Sequence, residues 1–176
     1  MTQACHPWHP PRKASSAIEE RHFIEDMSLF FEQMGLPRMA GRVMGVLLIC
    51  DPPAQSLNDI CETLQVSKSA VSTMTRLLAN IGLLEQAPSP LPRRDYFRFK
   101  PGGWTTFIRQ RMEIMAALHG ITERGLAILD DRRGPDRHRL TEAHDLFAYV
   151  EKAFPEWMER MQKERKRSGK QAAAPR

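Results

Sequence analysis

Between Leu57 and Arg76 the chain carries two short amphipathic stretches, Leu57 to Leu64 and Lys68 onward, parted only by Gln65-Val66-Ser67. Two helices joined by so tight a turn must cross steeply and cover one another's apolar faces, which is the geometry of a helix-turn-helix. Ile60, Leu64, Val66, Val71 and Met74 supply the shared apolar face, small Cys61 falls where the helices approach most closely, and Ser67 is placed to cap the second helix. The outward face of that helix keeps Lys68, Ser69, Ser72, Thr73 and Arg76, which with Ser67 are groups that reach phosphates or base edges. Any packed helix pair with a polar outer face shares this pattern, so the motif alone leaves a plain structural pair open as well.

The next segment favours the first reading. Gly82 ends the second helix, and Leu83 to Gln86 and Tyr96 to Lys100 predict two short strands around the stiff tip Ala87-Pro88-Ser89-Pro90-Leu91-Pro92-Arg93-Arg94-Asp95. A basic hairpin directly behind a recognition helix is a wing, which sets Arg93 and Arg94, with Arg98 on the returning strand, against a DNA backbone or in a minor groove. The charge distribution agrees. The net charge is +5, yet residues 66–100 hold six bases against Glu85 and Asp95, and residues 160–176 hold seven bases against Glu164 alone. Both segments suit a polyanion.

On the N-terminal side, Phe23, Ile24, Met27, Phe30, Phe31 and Met34 recur at helical spacing up to Gly35 and Pro37. A second helix, Arg38 to Cys50, carries Val43, Met44, Leu47 and Leu48 and stops at Asp51-Pro52-Pro53. Beyond the wing, Phe107, Ile114, Ile121 and Ile128 recur every seven residues with Ile108, Met115 and Leu129 beside them, a pattern that resembles a coiled-coil seam. Asp131 to Arg139 reads as a break. A last helix from about Thr141 carries Phe147, Val150, Phe154, Trp157 and Met161, with a kink expected at Pro155. The expected fold is mainly α with a small β-hairpin, a winged helix-turn-helix domain plus long dimerisation helices. Its parts are a disordered N-terminal arm at 1–17, with Pro7, Pro10 and Pro11, a dimerisation helix at 18–37, and the DNA-binding domain at 38–103. Dimerisation helices at 104–162 and a basic flexible tail at 163–176 complete it. The apolar stripes exceed what one small domain covers, so a homodimer is expected.

Several of these runs resemble the MarR superfamily, and within it the GbsR-like branch of bacterial regulators. They are Ser67-Lys68-Ser69-Ala70-Val71-Ser72, Leu77-Leu78 followed by Gly82-Leu83-Leu84, and Arg93-Arg94-Asp95-Tyr96-Phe97-Arg98-Phe99 followed by Pro101-Gly102-Gly103-Trp104. Phe23-Ile24-Glu25 and Gly35-Leu36-Pro37-Arg38-Met39-Ala40-Gly41-Arg42 look like the GbsR-like start. The resemblance covers residues 18 to 160 and implies a homodimeric transcriptional regulator, usually a repressor, whose terminal helices form the dimer and whose DNA affinity responds to a small ligand. The proline-rich wing tip departs from the shorter family hairpin.

The length of 176 residues fits one domain with appendages, and 41% hydrophobic with 27% charged residues fits a globular protein. No apolar run reaches the roughly 18 residues that span a bilayer and the N-terminus has no signal-peptide stretch, so a cytoplasmic protein without membrane contact is expected. Cys5, Cys50 and Cys61 lack paired spacing, which argues against a disulfide framework. Cys5, His6 and His9 invite a zinc reading but have no fourth ligand nearby, so no metal is expected. Cys50 and Cys61 read as buried, inert thiols before a redox switch. His119 and His144 have no companion at ligand spacing and read as surface or interhelical polar contacts. Tyr96, Trp104 and Phe107 are read chiefly as core, with an effector pocket as the sharper alternative. No phosphate-binding glycine loop, placed nucleophile or carboxylate pair points to an enzyme, and no cofactor is expected. The expected partners are double-stranded DNA with an inverted-repeat operator, a second copy of the chain and a small-molecule effector. The alternative is a winged-helix protein-interaction module that does not bind DNA. The absence of any acid from Ser67 to Ile81, together with Arg93 and Arg94, favours DNA.

Overall fold

Helix α1 (Ala14–Gln33) stops where Gly35 takes a φ of 73°, and its end is closed by Leu36 N–H donating to the Phe31 carbonyl at 2.9 Å. The computed structural model describes residues 14–88, 94–129 and 135–172. Chain contacts divide it into two compact units, Met1–Thr106 and Phe107–Arg176.

In the first unit, α1 packs on α2 (Arg38–Ile49) with almost no separation. A Cβ built on Gly41 would lie 2.4 Å from the Met27 carbonyl oxygen, and one on Gly45 would lie 3.0 Å from Ile24 Cα. Glycine is required here because backbone meets backbone. Buried Ser28 at the same contact accepts a 3.2 Å hydrogen bond from Arg38 Nε, and Arg42 reaches Glu25 at 2.8 Å. Strand β1 (Ala54–Ser56) leads directly into α3 (Leu57–Leu64), and α4 (Lys68–Asn80) follows. Gly82, at a φ of 77°, turns the chain into β2 (Leu84–Ala87), and β3 (Tyr96–Phe99) returns. Phe31, Val43, Met44, Ile60, Val71, Leu78 and Leu83 are fully buried and form the centre of this unit.

The sheet contains the expected hairpin, β2 with β3, and adds β1 as a third strand. Its order is β1-β3-β2, all antiparallel, with Ala54 opposite Arg98, Ser56 opposite Tyr96 and Glu85 also opposite Arg98. Three residues behind a Pro-Pro pair carry no readable alternation, so β1 has no sequence signature and owes its form to pairing with β3.

The second unit consists of the long helix α5, which starts at Gly103 ahead of the unit boundary and ends at Ile128, and α6 (Pro135–Ala172). Three boundaries move. Residues 14–17, assigned to an arm, are the first turn of α1; the break ends by Pro135; and the helix runs through Pro155 and the charged tail to Ala172. Lys and Arg are good helix formers, and a tail rich in them extends a helix without any apolar period. Within α5 the seven-residue stripe is uncovered beyond its first member. Phe107 is 2% exposed, whereas Ile114 and Ile121 are each 54% exposed and Ile128 is 79% exposed. Among the described residues no helix is long and apolar enough to cross a membrane.

Candidate nucleic-acid interface

The interface is built outward from Ser56. Its Oγ accepts from Asp59 N–H at 3.2 Å, and the Asp59 carboxylate accepts from Ser56 N–H at 2.9 Å, a reciprocal cap that fixes the start of α3. The turn after α3 places Gln65 in the left-handed region at φ 55°, where glycine is the more comfortable residue. Val66 N–H then donates to the Cys61 carbonyl at 3.1 Å. Ser67 caps α4 by accepting from Ala70 N–H at 3.3 Å, as its position predicts.

Ile60 and Val71, two of the five predicted locking residues, are fully buried, while Leu64, Val66 and Met74 are half-buried. The sequence gives no sign that Thr75 is buried too. Its hydroxyl donates to the Ser72 carbonyl at 3.1 Å, so the polar atom is satisfied inside its own helix. The opposite face presents Ser67, Lys68, Ser69, Thr73 and Arg76 to solvent, with Ser72 half-buried between them. Thr73 donates to the Ser69 carbonyl at 2.9 Å and Arg76 Nε to the Ser72 carbonyl at 3.3 Å, which lays both side chains along the helix.

The basic wing residues part company. Arg98 is held by Glu85 across the β2–β3 ladder, with Nη2 at 2.6 Å and Nε at 2.7 Å from the same carboxylate oxygen. Its charge is neutralised at the stem of the wing. Arg94 is exposed and shares a hollow of about 70 Å³ with Lys68, Ser56, Leu57, Asn58 and Asp95. That hollow joins the start of α3, the start of α4 and the base of the wing, and Asn58 is a member that the sequence did not suggest. Asp95 accepts from Gln86 at 2.9 Å. Arg93 lies outside the described residues, as do Cys5, His6 and His9.

Of the aromatic set, Trp104 stands 6.0 Å from Phe99 centre to centre, Phe107 carries the Arg111 guanidinium 5.2 Å above its ring, and Tyr96 is half-buried on β3. Cys50 and Cys61 are half-buried rather than buried as expected, and the Cys50 thiol donates to the Leu47 carbonyl at 3.7 Å. His119 and His144 make an interhelical polar contact, as read from the sequence, and they make it with each other, Nε2 to Nε2 at 3.3 Å.

A helix-turn-helix whose second helix is capped by Ser67, joined to a three-stranded antiparallel sheet, is the architecture of a winged-helix DNA-binding domain. Residues 51–98 match the family described as a winged helix DNA-binding domain, and residues 102–164 match the MmpR5-like MarR family transcriptional regulators. The chain is 38% identical over 129 residues to the HTH-type transcriptional regulator MmpR5 of Mycobacterium tuberculosis, spanning 73% of this chain and 78% of that protein. It is 26% identical over 89 residues to the HTH-type transcriptional repressor OpcR of Bacillus subtilis, spanning 51% of this chain and 48% of that protein. A crystal structure described as a transcriptional regulator superposes with a TM-score of 0.71 at 34% identity, covering 82% of this chain and 99% of that one. The chain belongs to the MarR family of transcriptional regulators, and its matching group is MmpR5-like. These relatives are regulators, not enzymes.

Proposed function

We propose that this regulator is a homodimeric repressor that binds an inverted-repeat operator and releases it in response to a small ligand. The observation that carries the reading is the alignment of Lys68, Ser69, Thr73 and Arg76 on the exposed face of α4, with Lys68 meeting Arg94 of the wing at one hollow. In that arrangement Ser69, Ser72, Thr73 and Arg76 enter the major groove, and Ser67, Lys68, Arg93 and Arg94 hold phosphates or the adjacent minor groove. Arg98 supports the wing through Glu85 and contacts DNA least.

The dimer in this reading uses α1 and the two long helices, and the uncovered Ile114, Ile121 and Ile128 support it. Two recognition helices related by a two-fold axis then require half-sites centred about 34–36 Å apart or a multiple of that. The effector has two places to act. One is the aromatic pair Tyr96 and Trp104 of the first unit, while Phe107, the third residue of the sequence reading, belongs to the second. The other is a cavity of about 310 Å³ in the second unit, walled by Met112, Ala116, Phe154, Pro155 and Met158 with Arg109 and Glu113 at its edge. Its mainly apolar wall with a few charged groups suits a small apolar molecule carrying a polar end. A place in the GbsR-like branch, which rests on Phe23 to Arg42 and the wing residues, and a cytoplasmic site of action belong to the same proposal.

The test is a footprint on the promoter beside the protein's own gene, with a salt titration. An inverted repeat protected by wild type, and lost in a Ser72→Glu variant that sets a carboxylate against the duplex, supports the reading. Unchanged protection by that variant places the interface on another surface.

A further inference from the structure

His119 of α5 and His144 of α6 present their Nε2 atoms to each other at 3.3 Å. Their other ring nitrogens are both engaged by carboxylates, Nδ1 of His119 with Glu151 at 2.6 Å and Nδ1 of His144 with Asp145 at 3.1 Å. An ionised carboxylate only accepts, so each Nδ1 carries the hydrogen and each neutral ring is left with a bare lone pair on Nε2. In the tautomers that serve both carboxylates the two lone pairs face each other and repel, and a cation between them relieves the conflict. That cation is either a shared proton or a metal ion.

We propose that His119 and His144 form a two-nitrogen site for a borderline divalent transition ion of the zinc type. The spacing fits it. Two imidazole nitrogens, each about 2.0–2.1 Å from a tetrahedral ion, stand roughly 3.3–3.4 Å apart. The ring centres lie 4.8 Å apart with their planes inclined by 54°, so the rings are tilted rather than stacked face to face. Glu151 and Asp145 stand where carboxylates commonly stand behind metal-bound histidines, as acceptors for Nδ1–H that orient each ring. Both histidine side chains keep about a quarter of their surface exposed, at 24% and 26%, so water can supply the remaining ligands. No cluster of three or more His, Cys, Asp or Glu is gathered for a metal among the described residues, so two protein ligands and water set a modest affinity. Zinc, cobalt and nickel suit imidazole, whereas magnesium and calcium prefer an all-oxygen shell. The ion would pin α5 to α6 at one point, and Glu151, which also lines the second unit's cavity, would tie that point to its wall. The inference does not depend on any DNA contact.

The experiment is a zinc titration of the full-length protein followed by calorimetry and by nitrogen-detected NMR of the histidine rings. The expected result is saturable binding with the Nε2 resonances of His119 and His144 moving together, affinity falling as acid competes for the nitrogens. His119→Gln and His144→Gln should each abolish that binding, and Glu151→Gln, which leaves both ligands in place, should weaken it about 10–100-fold. Zinc binding retained in a folded His119→Gln, His144→Gln double variant would overturn the proposal by placing the metal elsewhere, for instance on Cys5, His6 and His9. Histidine resonances that respond to pH but not to zinc would overturn it in favour of the shared proton.

Discussion

Replacing Gly41 by alanine adds a single methyl group where α1 and α2 meet backbone to backbone, and the structure fixes how much room that methyl has. The new Cβ would lie 2.4 Å from the Met27 carbonyl oxygen, 2.6 Å from Ser28 Cα and 2.9 Å from the Met27 carbonyl carbon. All three are backbone atoms of α1, so no side chain can swing away and the helix itself must retreat. Alanine in place of a mid-helix glycine gains about 0.8–1 kcal/mol of helix propensity. Overpacking a well-filled site costs typically about 1–3 kcal/mol, and a clash with backbone belongs at the upper end. The net expectation is a loss of about 2 kcal/mol. With a urea slope of about 2 kcal/mol per molar, the unfolding midpoint falls by roughly 1 M. Gly45 is the internal control, since its Cβ would meet Ile24 Cα at 3.0 Å and side-chain atoms at 3.3 and 3.4 Å. There the propensity gain and the milder crowding nearly cancel, and Gly45→Ala should stay within about 1 kcal/mol of wild type. Urea denaturation of both variants followed by circular dichroism, at one protein concentration, reads the difference. A Gly41→Ala protein as stable as the parent would refute the backbone-to-backbone packing of α1 on α2.

Three further outcomes follow from the same geometry. Ser56→Ala removes half of the reciprocal cap on α3 and should cost about 0.5–2 kcal/mol in thermal or urea unfolding. In DNA binding measured against salt, Arg94→Ala should lower the magnitude of the log-log slope by about 1, while Arg98→Ala should lower it by distinctly less, because Glu85 already neutralises that guanidinium. Equal slopes for the two variants would show that the Glu85 pair opens on DNA. Ile121→Glu places a carboxylate on the uncovered stripe of α5 and should shift the protein toward monomer in sedimentation velocity; an unchanged dimer would move the interface off that face.

The parts of the fold that rest on local chemistry were legible. Ser67 as a cap, Gly82 as a stop and the apolar period of Ile60 and Val71 are each decided within a few residues, and all stand where expected. The parts that rest on distant pairing were not. Strand β1 exists because β3 lies beside it, and nothing in Ala54-Gln55-Ser56 announces that neighbour. The four-residue spacing of Gly41 and Gly45 was a readable sign of close helix approach, but the apolar residues around it dominated the pattern. His119 and His144 are 25 residues apart on different helices, so no spacing rule brings them together. Arg98 and Arg94 look equivalent as basic wing residues, and only the register that sets Arg98 opposite Glu85 separates them.

Ser56 is both the last residue of β1, in register with Tyr96 at the foot of the wing, and the residue that caps α3. One residue therefore welds the sheet to the helix-turn-helix, and no linker lies between them to act as a hinge. For DNA association this is a matter of entropy: the base of the wing and the helix-turn-helix arrive already aligned, so their mutual ordering has been completed during folding. The heat-capacity change on binding should then scale with the surface that the two molecules bury at their contact, without the larger increment that accompanies a segment folding onto its target.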